Sequence, residues 1–219
     1  LSAKGMSSFE NPEKYNSWYH TPSGAWAGQL EYSLLCQLMQ PIKNSTLLDV
    51  GCGSGYFTRR FADCGLNVTG IDPDQGMINF AMSQCSDVPF VLGDALALPF
   101  ANREFDYSSA ITSLGFIQSP QLALAEMWRV SNKGMVLGLL NRHSLLYLQK
   151  ADTGSYKGSR WDTLSNIKQW IALLNPKPSH VIFKTILFVP GMGLISRKIE
   201  PLFSSKLLFG GFLAVSINH

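Results

Sequence analysis

Charge is scarce in this chain: Lys, Arg, Asp and Glu together make 15% of its 219 residues. With 46% hydrophobic residues the composition is that of a globular, slightly apolar protein, long enough for one domain with a three-layer core. Cysteine is also sparse. Cys36, Cys52, Cys64 and Cys85 form no CxxC pair and have no histidine at ligand spacing, which argues against a zinc site or a disulfide framework. They read as reduced, structural thiols of a cytoplasmic protein. The apolar run Leu207 to Val215 is too short to span a bilayer as a helix, so no transmembrane segment is expected. No basic-then-apolar leader follows Met6, and Leu1 to Gly5 ahead of it read as a tag remnant outside the folded domain, 6–219. There is no internal repeat and no low-complexity tract.

The charge that is present is unevenly placed. Residues 1–140 hold 8 Lys/Arg against 12 Asp/Glu, and residues 141–219 hold 10 against 3, so a net +3 conceals halves of −4 and +7. A basic C-terminal third could face an anionic substrate, an acidic membrane surface or RNA, or could simply be a solvated face.

Against this background one stretch stands out, Thr46-Leu-Leu-Asp-Val-Gly-Cys-Gly-Ser-Gly-Tyr-Phe-Thr58. An apolar run of strand formers leads into three glycines and then a helix, which suits a buried parallel strand whose loop lets a ligand approach the backbone. A dinucleotide fingerprint needs a third glycine where Tyr56 stands, so a nicotinamide oxidoreductase is disfavoured. The second strand, Asn67 to Asp72, ends in a carboxylate, an acceptor suited to both hydroxyls of a ribose. A third strand, Val88 to Leu92, leads to Gly93-Asp94-Ala95-Leu96-Ala97-Leu98-Pro99-Phe100, and Glu104-Phe-Asp106 opens a fourth that runs to about Thr112.

Asp49 with the GxGxG of Gly51, Gly53 and Gly55, followed by these three sequels in order, resembles the class I S-adenosylmethionine-dependent methyltransferases, in particular the type 11 group that includes ubiquinone- and biotin-pathway enzymes. The resemblance implies an α/β fold: a three-layer, Rossmann-like, doubly wound sheet, mostly parallel with a reversed final strand. It implies that Asp49 and the three glycines hold the cofactor, that Asp72 takes the ribose, and that Met77 packs near the base. It further implies that Asp94 accepts from the exocyclic amine of adenine and that the backbone N–H of Ala95 meets a ring nitrogen, with Leu96 and Thr112 close by.

Residues 6–30 carry Phe9, Tyr15, Trp18, Tyr19 and Trp26 around Thr21-Pro22-Ser23-Gly24, without clear periodicity. Aromatics among turn residues read as a lid, and the pattern resembles the opening segment of the same group, where Tyr15 and Trp18 lie over the cofactor. Tyr19 is assigned to the acceptor. A helix is expected from Trp26 to Gln40, and another over 56–64 with Arg59 and Arg60 outward. Residues 6–45 thus form lid and helix, 46–142 the cofactor-binding core, and 143–219 the acceptor-side helices and final strands.

The acceptor side is less legible. Ser113 to Pro120 contains nothing like the Asn-Pro-Pro-Tyr run of enzymes that methylate amino groups of bases, which argues against nucleic acid as substrate. His143, beyond a fifth strand at Gly134 to Leu140, is a candidate general base or the cap of the helix at Ser144. Tyr156, Arg160 and Trp161, on the Gly/Ser loop 152–162, suit an organic anion, with an Arg160–Asp162 turn as the structural alternative. A helix over 163–174 and an antiparallel pair, Val181 to Val189 and Leu207 to Ile217, complete the chain. No carboxylate cluster follows the fourth strand, so no metal is expected. The reaction implied is direct displacement of the sulfonium methyl of S-adenosylmethionine by a small organic acceptor, leaving S-adenosylhomocysteine. The alternative is a non-catalytic module that binds the cofactor and docks RNA or anionic lipid. The acceptor atom, whether O, N, S or C, and the oligomeric state are not written in the sequence.

Overall fold

The computed structural model describes residues 11–191 and 193–219; the tag remnant and Phe9 lie outside the described residues. Seven strands form one sheet: β1 (Thr46–Val50), β2 (Asn67–Asp72), β3 (Phe90–Leu92), β4 (Phe105–Ile111), β5 (Ser131–Leu140), β6 (His180–Ile186) and β7 (Phe212–Asn218). Their order is β3-β2-β1-β4-β5-β7-β6. The first five run parallel, and β7 lies antiparallel between β5 and β6. The expected mostly parallel sheet with a reversed final strand is therefore the one observed. Strand order turns back between β1 and β4, and a doubly wound sheet binds its ligand in the crevice at that point.

Helices α1 (Pro12–Trp18), α2 (Pro22–Met39), α3 (Tyr56–Asp63), α4 (Gln75–Gln84), α5 (Pro120–Val130), α6 (Leu145–Lys150), α7 (Leu164–Ile171) and α8 (Leu194–Ile199) surround it. Alternation along the strands feeds two cores. Leu48, Leu137, Leu213 and Val215 face Leu124, Met127, Ile167 and Ile171 of α5 and α7. Leu47, Val136, Phe212 and Ala214 face Leu35, Leu38 and Phe61 of α2 and α3. Both faces are covered, which is why these strands read as near-continuous apolar runs.

Several expectations are corrected. The segment before Trp26 is helical: Asn11 caps α1 through Lys14 N–H, Thr21 caps α2 through Gly24 N–H, and each helix has proline in its first turn. Tyr19, which lies in the expected lid and is assigned to the acceptor, is buried in the second core. Arg59 does not point outward, because its guanidinium donates to Ser54 O at 2.7 Å and Asn16 Oδ1 at 3.2 Å. Arg60 lies over the Tyr32 ring, 4.4 Å from its centroid. The third strand is shorter than expected, and the fifth begins earlier, at Ser131.

Candidate cofactor and acceptor site

The loop after β1 is shaped by left-handed backbone that L side chains rarely adopt, with φ of +71° at Gly51, +53° at Gly53 and +76° at Gly55. The glycines differ in what they face. A Cβ on Gly51 would lie 2.4 Å from that of Ser113, so Gly51 is needed for packing. Among the described residues, one on Gly53 would meet the Tyr15 ring alone, at 3.9 Å, so they leave this stretch of backbone bare toward the crevice. Gly55 caps α3 without any side-chain hydrogen bond, which leaves the first N–H groups of that helix for an anionic group.

Asp72, at the end of β2, is fixed against this loop. Its Oδ2 accepts from Gly53 N–H at 2.8 Å and its Oδ1 from Asp74 N–H at 2.9 Å. Burial raises its pKa, and the two N–H groups partly offset that rise. With one N–H on each oxygen, both retain capacity to accept from hydroxyls.

Asp49 is placed differently. It is buried beneath the loop, with Oδ2 accepting from Thr58 Oγ1 at 2.6 Å and Oδ1 from Ser109 Oγ at 2.8 Å. Burial pushes its carboxyl up to about 6 despite those two bonds. It braces β1 against α3 and β4, and so holds the loop from below.

Farther along the crevice, Met77 is buried at the start of α4, where Asp74 caps the helix through Gly76 and Met77 N–H. Asp94 is exposed, with Oδ1 accepting from Leu96 N–H at 2.9 Å, while Ala95 is buried and Leu96 exposed. Thr112, just past β4, has φ +54°, a strained conformation for a β-branched residue. Its side chain also bonds Tyr15, which joins the N-terminal helix to the sheet end.

Around α2 the structure assembles a group whose centre, Glu31, the sequence offers only as part of the opening-segment pattern, with no role. Glu31 of α2 is buried, with no hydrogen bond or ion pair among the described residues. Burial alone pushes its carboxyl up to about 8. It lies near enough to Tyr15, Tyr19 and Tyr156 to oppose ionisation of each, and burial raises all three phenols. Tyr19 is stacked on Tyr56 at 3.7 Å between centroids, and Trp18 is half exposed beside it. Glutamate on an otherwise apolar helical face is the signal that could have given Glu31 a role.

Of the other acceptor candidates, Trp161 is buried between Tyr147 and Tyr156, and its indole N–H has no partner among the described residues. The Arg160 guanidinium is committed internally, to Asp162 at 2.6 Å, Ile117 O at 2.6 Å and Leu114 O at 2.9 Å, which is the structural turn. His143 is exposed. Its backbone N–H donates to Asn141 Oδ1, and Ser144, not His143, caps α6.

The family described as a methyltransferase domain matches residues 48–138. The chain is 36% identical over 101 residues to the demethylmenaquinone methyltransferase of Renibacterium salmoninarum, covering 46% of this chain and 43% of that one. It is 26% identical over 192 residues to the malonyl-[acyl-carrier protein] O-methyltransferase of Buchnera aphidicola, covering 85% and 74%. The chain thus matches less than half the length of the first relative. A crystal structure of a possible histamine N-methyltransferase from Thermotoga maritima superposes with a TM-score of 0.68 at 19% identity, over 94% of this chain and 95% of that one. Geranyl diphosphate C-methyltransferase from Streptomyces coelicolor, solved with S-adenosylhomocysteine, gives 0.60 at 15% identity over 87% and 78%.

Proposed function

We propose that the chain, whose residues 48–138 match a methyltransferase domain, is a class I, S-adenosylmethionine-dependent enzyme of the type 11 group that transfers the cofactor's methyl group to a small organic acceptor. The observation that carries the reading is the bare backbone at Gly53 beside a carboxylate, Asp72, that the loop itself holds in place. When bound, the cofactor supplies a methyl group already activated by the sulfonium charge. The chain's own residues therefore have to bind, align and exclude water.

Asp72 would accept from the ribose hydroxyls, the α3 N-terminus would meet the carboxylate, and Met77, Asp94, Ala95 and Leu96 would hold the base. Tyr15 and Trp18 would cover the cofactor, with Thr112 anchoring Tyr15. Residues 46–142 thus hold the cofactor and residues 143–219, with α1 and α2, shape the acceptor side. Glu31, facing Tyr15, Tyr19 and Tyr156, is the group placed to take a proton from an acceptor, and the unpartnered Trp161 N–H offers a donor to an acceptor oxygen. Nucleic acid is not the acceptor in this reading, and the site acts inside the cytoplasm without a metal.

Isothermal titration with S-adenosylmethionine, S-adenosylhomocysteine and NADH tests it. Binding of the first two without the third supports the assignment; binding of NADH alone overturns it. Acceptor screening by methyl transfer follows, and the rate is expected to rise with pH through about 8 as Glu31 ionises. The rise should vanish in Glu31→Gln.

A further inference from the structure

Exposed aliphatic side chains gather on α6, α8 and the link to β7. Leu148 on α6 is 77% exposed, Leu194 on α8 is 72%, and Leu202 in the link to β7 is 80%, with Ile195, Leu207 and Phe209 also exposed. These elements adjoin. Asn141, which leads into α6, donates to Leu208 O and Gly210 O, and a Cβ on Gly211 would lie 2.8 Å from Leu146. At the far end of the link, a Cβ on Gly191 would lie 3.4 Å from Gln149.

The same segment is basic. Arg197, Lys198 and Lys206 lie within residues 187–211, and Lys150 ends α6. The one acid in that segment, Glu200, is buried and turned inward, accepting from Leu187 and Phe188 N–H. Lys150 has exposed Asp152 two residues on and Arg197 donates to Pro22 O at 2.6 Å, so Lys198 and Lys206 are the cations that the face presents among its aliphatic side chains. Protruding leucines with a basic surround match the chemistry of a bilayer surface: apolar tips enter the boundary between headgroups and acyl chains while cations meet lipid phosphates. A second copy on the same face would set cation against cation. RNA would gain no stacking from leucines.

We propose that this face docks the protein on an anionic bilayer surface. No helix among the described residues is long and apolar enough to cross a membrane, so the attachment is peripheral. Docking needs neither cofactor nor acceptor, so it stands or falls apart from the transfer reaction.

Pelleting with vesicles of equal parts phosphatidylglycerol and phosphatidylcholine tests it, against vesicles of phosphatidylcholine alone. Wild type is expected to pellet with the anionic vesicles only, and less at high salt. Lys198→Glu/Lys206→Glu should weaken that partitioning by about tenfold or more, and Leu202→Ser/Leu207→Ser should abolish most of it. Both variants should retain wild-type titration with S-adenosylhomocysteine, which shows that they are folded. Failure to pellet with anionic vesicles, equal pelleting with both compositions, or variants that bind like wild type would overturn the proposal. So would a concentration-dependent dimer that Leu202→Ser dissolves.

Discussion

Two carboxylates near the crevice are held in opposite ways, and each supports a prediction. Asp72 is an acceptor prepared by backbone N–H groups, and Asp72→Ala should weaken binding of S-adenosylhomocysteine by roughly 1–3 kcal/mol with the fold intact. Titration calorimetry reads this directly, and unchanged affinity would remove the ribose assignment. Glu31 is a carboxyl without a partner. Its folded-state pKa, about 8, lies above its ordinary 4.5, so between those values the folded chain holds a proton that the unfolded chain releases. Unfolding free energy should therefore fall as pH rises through that window, by about 1.4 kcal/mol per pH unit, and level off above it. Glu31→Gln removes the dependence, so its stability relative to wild type should improve steadily from about pH 5 to about pH 8. Parallel urea melts across that range check the sign, and a constant difference would show that Glu31 is ionised in the folded protein.

At the scale of elements, the caps decide how the acceptor side is built. Thr21 joins α1 to α2: its Oγ1 accepts from Gly24 N–H at 3.1 Å and donates to Trp18 O at 2.6 Å. Thr21→Ala should cost about 1 kcal/mol, the usual price of a lost N-cap. A lowered thermal midpoint with unaltered far-ultraviolet ellipticity is the expected signature. This region was the least legible in the sequence. A seven-residue helix such as α1 spans barely two turns and cannot show a period, and its caps were read as loop. The glycine loop was legible because its backbone conformation demands glycine. The strands were legible because burial on both faces makes them apolar throughout. Glu31 was not, since burial of a charge depends on tertiary neighbours: Tyr156 comes from a loop more than a hundred residues away. Arg160 illustrates the converse, a cation suited to an anion in sequence but already committed to Asp162 and two carbonyls in the fold.

For the molecule as a whole, the last strand is the structural centre of its C-terminal half. β7 is paired along its whole length with both β5 and β6, and Phe212 to Ile217 are buried throughout. Leu213 and Val215 face one core and Phe212 and Ala214 the other, so β7 ties the two cores together across the sheet. The β-rich run marks a strand here and the family resemblance implies its reversal, yet its insertion between β5 and β6 follows from long-range pairing that no local pattern encodes. Chain ends usually fray, and the amides of a terminal segment then exchange quickly. A strand paired on both edges and buried on both faces can open only with the sheet. Amides of residues 212–218 should therefore exchange at the slow limit set by global unfolding, alongside β4 and β5, while those of residues 193–208 exchange orders of magnitude faster. Leu213→Ala should lower global stability by about 2–5 kcal/mol and accelerate exchange in β4 and β5 together with β7. Hydrogen exchange read by mass spectrometry distinguishes the possibilities: fast exchange confined to 212–218 would mean that β7 detaches alone and the two cores are held together without it.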